Sequence, residues 1–315
     1  MVTRRDFLAA AAFSYVASGF SRTFSIRTVD AAGSMQFGYA GITWGNNVTQ
    51  AIDDISAVGF RGIQLRAGDG TVDRYGANPA ALRELLDRHQ LAFAVLSSGN
   101  LSIDPARERE MLATHVAHAQ FLRDAGGRYL QIIDERPKGR AVTADDYRRL
   151  GRLLTELGRR TMDLGVTVAY HHHMNSTGEK PQEIAAVLDA ADRKHVRLLF
   201  DVAHYQQGGG DPVSAIRQYK DWIEVVHLKD VRPNGSGGSG GPGGSGGSSG
   251  SGAGYQFVEL GRGRVDLPGV FAALRDIGFD KWAVVELDRV PDPGRTPKES
   301  AEMNKKYLAE HGFTL

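Results

Sequence analysis

The sequence has 315 residues, no cysteine and an almost even charge balance, with 38 Lys and Arg against 37 Asp and Glu. The lack of cysteine excludes disulfides, thiolate-bound zinc and a cysteine nucleophile. The balanced charge predicts neither a nucleic-acid partner nor attachment to a membrane surface. The length suits one large α/β domain or two small ones.

The first 32 residues have the features of an export signal. Residues Thr3–Leu8 read Thr-Arg-Arg-Asp-Phe-Leu, a twin-arginine pattern, and an Ala-rich stretch from Leu8 to Phe20 follows. That stretch is too short to span a bilayer, so we expect no stable membrane anchor. Residues 1–32 are therefore predicted to be a twin-arginine signal peptide, which implies a periplasmic or secreted protein. The alternative is an ordinary basic start without a targeting role.

In residues 33–315, apolar strand-like segments alternate with segments of helical periodicity. Strands are predicted at Phe37–Thr43, Arg61–Arg66, Leu91–Ser97, Arg128–Ile133, Val166–His171, Val196–Asp201, Ile223–Leu228 and Trp282–Leu287. Helices are predicted at Pro79–His89, Pro105–Ala125, Ala144–Leu164, Pro181–Lys194 and Pro268–Gly278. Such alternation predicts an α/β protein with a (β/α)8 TIM barrel, and a doubly wound open sheet is the main alternative.

One segment, residues 235–254, departs from this alternation. It contains twelve Gly and six Ser in twenty residues, a composition that cannot bury apolar area. We therefore predict a disordered insertion. It is interpreted as a spacer, either native or engineered in place of a lost loop, and a flexible flap on the active-site side is the alternative.

Four predicted strands end in a side chain that can bind a divalent metal: His171, Asp201, His227 and Glu286. The C-terminal ends of barrel strands meet at one mouth, so these side chains are expected to converge. Two imidazoles and two carboxylates suit Mn²⁺, Co²⁺, Zn²⁺ or Fe²⁺. The pattern predicts a metal-dependent enzyme.

Further histidines flank two of these strand ends. His204 follows Asp201 by three residues, where the chain begins to turn, so it is a candidate contact for a substrate hydroxyl. In the run of three histidines that starts at His171, strand alternation puts His171 and His173 on one side. Either of these two is a candidate ligand. A polar loop without metal is the alternative for the whole run.

From Met35 to the C-terminus the chain resembles the xylose-isomerase-like sugar isomerase/epimerase superfamily, and within it the inosose dehydratase branch. The resemblance is carried by Gly41-Ile42-Thr43-Trp44-Gly45, Tyr170-His171-His172-His173-Met174, Phe200-Asp201-Val202-Ala203-His204, His227-Leu228-Lys229-Asp230-Val231-Arg232 and Val284-Val285-Glu286. It implies a metal set of Glu, Asp, His and Glu, and Asp201, His227 and Glu286 match the last three. His171 stands where the epimerases carry Glu.

The resemblance implies that the enzyme enolises a keto-sugar or keto-cyclitol. Glu286 is the predicted base, and His204, His173 and Lys229 are predicted to recognise oxygen or act as the acid. With His171 in place of a second carboxylate, β-elimination of water is favoured over epimerisation.

Two further residues are assigned to the substrate: Trp44 is predicted to form an apolar platform for the ring, or else to pack in the core, and Arg232 is predicted to bind substrate. Two alternative functions stay open: a sugar isomerase or epimerase proper, and a catalytically silent periplasmic sugar-binding barrel. The expected partner is a small-molecule sugar or cyclitol, and a homo-oligomer is left open. An endonuclease of the same superfamily is disfavoured, because that branch uses three metals and basic grooves.

Overall fold

The computed structural model describes residues 35–234 and 254–315. The predicted signal peptide at residues 1–32 lies outside the described residues. So does the predicted disordered insertion, apart from Gly254. The disorder of that insertion stays a prediction.

In the described residues the strands form a closed parallel barrel, and every predicted strand contributes to it. The barrel strands are β1 (Gln36–Ala40), β2 (Gly62–Arg66), β3 (Ala92–Leu101), β4 (Tyr129–Asp134), β5 (Thr167–His171), β6 (Val196–Asp201), β7 (Ile223–Leu228) and β10 (Trp282–Val285). Their order around the barrel is β1-β10-β7-β6-β5-β4-β3-β2. This confirms the (β/α)8 TIM barrel and excludes the open sheet.

Helices connect the barrel strands. They are α1 (Val48–Val58), α2 (Val72–Tyr75), α3 (Pro79–Arg88), α4 (Glu108–Asp124), α5 (Ala144–Met162), α6 (Pro181–Asp189), α7 (Val202–Gln207), α8 (Pro212–Gln218), α9 (Leu267–Asp276) and α10 (Pro297–Glu310). The five predicted helices are all present, although α6 ends before the predicted Lys194. The predicted first strand ends early, because Gly41–Trp44 forms a 3-10 turn.

An apolar layer inside the barrel supports the predicted metal ligands. Ala169, Leu199, Val225 and Val284 are fully buried in one small cluster. Each lies two residues before a predicted ligand on its own strand, so strand alternation directs both side chains into the barrel. The predicted ligands therefore lie on an apolar layer that excludes water, and electrostatic interactions are strong in such surroundings.

Two strands were not predicted, and they flank the Gly/Ser tract. Strand β8 (Asp230–Pro233) pairs antiparallel with β9 (Tyr255–Val258). The Asn234 amide donates to the Gly254 carbonyl at 2.9 Å, so the two described ends of the tract are neighbours. The tract thus joins two strands that are already paired.

Candidate metal centre

The structure brings the four predicted ligands together at the C-terminal mouth of the barrel. His171 and Asp201 are the last residues of β5 and β6, His227 lies in β7, and Glu286 follows β10. All four are buried. In two sets of three, the possible ligand atoms lie within 4.8 Å of one another: His171, Asp201 and His204, and Asp201, His227 and Glu286.

Three ligand atoms converge without hydrogen-bond partners. Asp201 Oδ2 lies 3.7 Å from His171 Nε2 and 3.5 Å from His227 Nδ1. All three atoms are buried and make no hydrogen bond. Leaving a buried polar atom unpaired costs about 1–3 kcal/mol. Two ligand atoms each about 2.1 Å from one metal lie at roughly these separations. The donor set therefore fits a divalent metal.

A glutamine that the sequence analysis missed fixes the ring of His227. Gln64, on β2, accepts a hydrogen bond from His227 Nε2 at 2.8 Å and donates to Glu286 Oε2 at 3.0 Å. With its proton on Nε2, His227 presents the Nδ1 lone pair toward Asp201. Partners of this kind set the tautomer and orientation of a metal-binding histidine.

A second missed glutamine does the same for His171. The Gln131 side chain, on β4, lies 2.8 Å from His171 Nδ1. When Nε2 holds a metal, Nδ1 carries the proton and needs an acceptor. Gln131 Oε1 is buried without a partner, and a half-turn of the amide supplies that acceptor. A polar residue inside an apolar barrel strand was the available sequence signal for both glutamines.

The charges around the site suit metal binding, because Asp201 and Glu286 are ionised and His171 is neutral. Burial alone raises the pKa of Asp201, but His204, His171, His227 and Lys229 together hold that pKa well below its usual range. Burial also opposes ionisation of Glu286, yet His227, Lys229 and His171 lower its pKa to about 2. Burial lowers the pKa of His171 to about 4.

Lys229 is a fully buried lysine beside the ligands. Its Nζ donates to Glu286 Oε1 at 2.8 Å and to Asp288 Oδ1 at 2.5 Å, and it lies 4.1 Å from the centre of the Phe257 ring. Burial alone lowers the pKa of Lys229, but Asp288 and Glu286 raise it above its usual value. Lys229 therefore carries a positive charge against the candidate base. Asp288 was missed by the sequence analysis.

Asp201 is both a helix cap and a candidate ligand. Its Oδ1 accepts from the amides of Ala203 and His204, at 2.9 and 2.8 Å, and so starts α7. The other oxygen, Oδ2, is the unpartnered atom at the centre of the site. Capping and metal binding were alternatives on sequence grounds, and the geometry allows one carboxylate to do both.

The three consecutive histidines that begin at the last residue of β5 divide as the alternation predicts. His171 faces the site, while His172 packs against Phe200 and receives the Asp201 amide at Nε2, 3.3 Å away. His173 lies over His204, with ring centres 3.8 Å apart. His204 is almost fully buried, so it contacts the cavity through His173 rather than directly.

A cavity of about 450 Å³ opens over the ligand ring. Its wall includes His171, His173, Glu286 and Asp288, and its volume suits a small-molecule substrate.

Two predicted substrate residues lie elsewhere. The Trp44 indole donates to Asp54 Oδ2 at 2.9 Å and packs on Tyr39, and Trp44 is not part of the cavity wall. Arg232 is exposed on β8, and its guanidinium donates to Gln256 at 3.2 Å. Trp44 packs against α1, which is the alternative given for it, and Arg232 lies on the hairpin outside this cavity wall. Their assignment to the substrate stays a prediction.

The sequence model of the family described as "Xylose isomerase-like TIM barrel" matches residues 52–308. The chain belongs to this family. An inosose dehydratase from Lacticaseibacillus casei is 29% identical over 302 residues, covering 87% of this chain and 96% of that protein. The rhizopine catabolism protein MocC from Rhizobium meliloti is 29% identical over 296 residues, covering 85% of this chain and 86% of that protein.

Several solved structures have the same fold. The IolI protein, solved with a bound zinc atom, superposes with a TM-score of 0.73 at 19% identity, covering 89% of this chain and 100% of its own. The probable 3-DHS dehydratase AsbF from Bacillus anthracis superposes with a TM-score of 0.67 at 16% identity, covering 87% of this chain and 99% of its own. The similarity to the inosose dehydratases, together with the ligand cluster, confirms the predicted metal-dependent enzyme.

The predicted export and the periplasmic or secreted location are wrong. The inosose dehydratases and the IolI protein, which this chain resembles over most of its length, are cytoplasmic enzymes. The twin-arginine pattern lies in residues 1–32, outside the described residues, and carries no independent evidence of a signal peptide. Among the described residues, no helix has the length and apolar character that a membrane crossing requires.

Proposed function

We propose that the protein is a metal-dependent lyase that enolises a keto-cyclitol or keto-sugar and then eliminates a β-hydroxyl as water. The observation that carries the proposal is the convergence of three buried, unpartnered ligand atoms beside an ionised glutamate. The inosose dehydratase relatives support the substrate class.

His171, Asp201, His227 and Glu286 would hold the metal. A bound divalent metal polarises a substrate carbonyl and so acidifies the neighbouring C–H. Glu286 is positioned to accept that proton, because it lies on the cavity wall and is ionised. Lys229 compensates its charge from beneath the wall.

His173 is the proposed acid for the departing hydroxyl. It lies on the same cavity wall as Glu286, whereas His204 is shielded behind it. The His173 Nδ1–H donates to the Met174 carbonyl at 2.8 Å, so His173 acts as the acid in its doubly protonated form, in which Nε2–H gives its proton to the departing hydroxyl. His204 then positions His173 by stacking and contacts Lys229 at 3.5 Å.

Elimination is favoured over epimerisation because only one carboxylate on the ligand ring contacts the cavity. Asp201 uses one oxygen for the α7 cap and is fully buried, and the strand end that would supply a second base carries His171. A two-base exchange of configuration needs a base on each face of the substrate, whereas an elimination needs one base and one acid.

The test is product analysis by NMR in D₂O, with protein loaded with Mn²⁺, Co²⁺ or Zn²⁺ and given keto-inositol or 3-keto-glycosides. We expect deuterium exchange next to the carbonyl and an unsaturated elimination product. Deuterium exchange with fast epimerisation and no elimination product would show that the protein is an isomerase or epimerase. No exchange in any substrate that binds would support the sugar-binding barrel. Light scattering of the same samples tests the predicted homo-oligomer.

A further inference from the structure

The cavity extends beyond the ligand ring, and its far end is built by residues that the proposed reaction does not use. Ser97, Ser98 and Asn100 come from β3, and His118 comes from α4. The side chains of Ser97 and Asn100 make no hydrogen bonds within residues 35–234 and 254–315. Both are therefore free to bind a ligand.

A serine between two histidines fixes the ring of His118. Ser98 Oγ lies 2.7 Å from His115 Nδ1 and 2.8 Å from His118 Nδ1. A hydroxyl has one proton, so Ser98 donates to one ring and accepts from the other. In either arrangement His118 keeps Nε2 for a ligand. A sugar hydroxyl both donates and accepts, so it can pair with either tautomer.

The charges in this part of the cavity disfavour an anionic ligand. Arg66 is paired with Asp69 at 3.2 Å, and Arg107 with Glu135 at 2.7 Å. Both arginines line the cavity, but each already has a carboxylate partner. Glu286 and Asp288 add negative charge at the other end. A phosphate or carboxylate would find no free cation here, whereas a neutral hydroxylated group would find hydrogen-bonding partners.

The cavity is also larger than a bare ring requires. Its volume of about 450 Å³ equals the liquid volume of about fifteen water molecules. A single cyclitol ring at the metal ligands leaves the β3 and α4 end unfilled.

We propose that Ser97, Asn100 and His118 form a second subsite, which binds a neutral, hydroxylated substituent on the keto ring, such as a glycosyl group. This inference rests on the proposed function, because the ring itself must lie at the ligand end. The subsite then selects substituted substrates over bare cyclitols.

Calorimetric binding of unreactive probes to the full-length, Zn²⁺-loaded protein tests the subsite. We expect a neutral glucosyl disaccharide to bind about tenfold more tightly than myo-inositol, the effect of one or two additional hydrogen bonds. His118→Asn keeps a group for Ser98 at the Nδ1 position but removes Nε2, so it should abolish the preference. Ser97→Ala should reduce it. His89→Asn is the matched control, because His89 pairs with Asp53 outside the cavity wall.

Equal affinities in the unmodified protein, or a preference that His118→Asn leaves intact, would overturn the subsite. Tighter binding of an inositol phosphate than of the disaccharide would overturn its neutral character. Deuterium exchange separates this inference from the proposed function. A preference for the disaccharide without deuterium exchange in any keto-substrate would contradict the proposed lyase activity but support the second subsite.

Discussion

The two halves of the barrel contribute differently to the site. The ionisable candidate ligands lie at the ends of β5, β6, β7 and β10, whereas β2 and β4 supply the neutral side chains of Gln64 and Gln131 that orient two of them. Gln64 reaches across the barrel to His227, and Gln131 reaches His171 on the neighbouring strand β5. One half thus provides charge and the other provides orientation. The ligands and the residues that orient them lie in separate stretches of the chain, so substitutions can disrupt metal binding and ligand orientation separately.

The largest effect is expected in the ionisable half, at Asp201. Asp201→Asn keeps an oxygen for the α7 cap but removes the charge at the centre of the ligand set. We expect loss of the bound metal and a fall in turnover of at least about a thousandfold, roughly 4 kcal/mol. Elemental analysis and product NMR measure the two effects. His227→Ala and Glu286→Ala should behave in the same way.

Asp211→Asn is the matched control for Asp201→Asn. Asp211 caps α8 through the amides of Val213 and Ser214, but it is exposed and does not belong to the ligand cluster. Its substitution should leave metal content unchanged. Full metal occupancy and normal turnover in any two of the Asp201, His227 and Glu286 variants would disprove the ligand assignment.

The neutral half should give an intermediate effect. Gln64→Leu removes the acceptor that holds the proton on His227 Nε2, and Gln131→Leu does the same at His171. We expect metal affinity to fall about 10–100-fold in each, with the fold retained. Competition with a chelator measures this loss. Gln120→Leu, on the exposed face of α4, is the control. Wild-type affinity in both variants would show that the glutamines only fill space.

The His171→Glu variant adds a carboxylate to the ligand ring and tests whether this position decides between elimination and epimerisation. The variant restores the side chain that the epimerases carry at this position, so a second base becomes available. We expect slower elimination and the appearance of some epimerised product. The ratio of the two products by NMR in D₂O is the measurement. An unchanged ratio would mean that the residue after β5 does not decide the outcome.

The same comparison explains what the sequence could predict. The four predicted ligands were recognisable because each is an ionisable residue at the end of an apolar strand. This pattern is visible in a single short segment, without knowledge of its partners in the fold. Gln64 and Gln131 are polar residues inside apolar strands, but their roles depend on partners far along the chain. The surroundings of Trp44 and Arg232 could not be predicted for a related reason. Their directions depend on the 3-10 turn and on the β8–β9 hairpin, neither of which has a local periodicity.

A smaller effect, on stability rather than catalysis, is expected at Asp230. This buried carboxylate accepts from the amides of Val231, Gly261, Gly263 and Val265, at 2.8–3.0 Å, and so holds the loop after β9. Asp230→Ala leaves these amides without their partner. We expect a loss of about 2–4 kcal/mol in the free energy of unfolding. Thermal melts measure it.

Asp266→Ala is the control for Asp230→Ala, because Asp266 is exposed and caps α9 through a single amide. Its cost should be about 1 kcal/mol. Equal costs in the two variants would show that Asp230 contributes no more than an ordinary helix cap. Metal content should be unchanged in both, since neither residue belongs to the ligand set.

The smallest effect is expected from the Gly/Ser tract. Replacing residues 235–253 with two glycines keeps Gly254, whose carbonyl pairs with the Asn234 amide across the hairpin. The tract has no large side chains that could pack, and each halving of a flexible loop lowers its closure cost by only about 0.6 kcal/mol. The melting temperature should therefore stay the same or rise slightly, and metal content and turnover should match those of the full chain.

A variant with the same tract composition in shuffled order is the control. A clear loss of stability in the shortened protein but not in the shuffled one would mean that the length of the tract is needed to close the hairpin. A loss in both would mean that its sequence makes specific contacts, and the interpretation as a spacer would then be wrong.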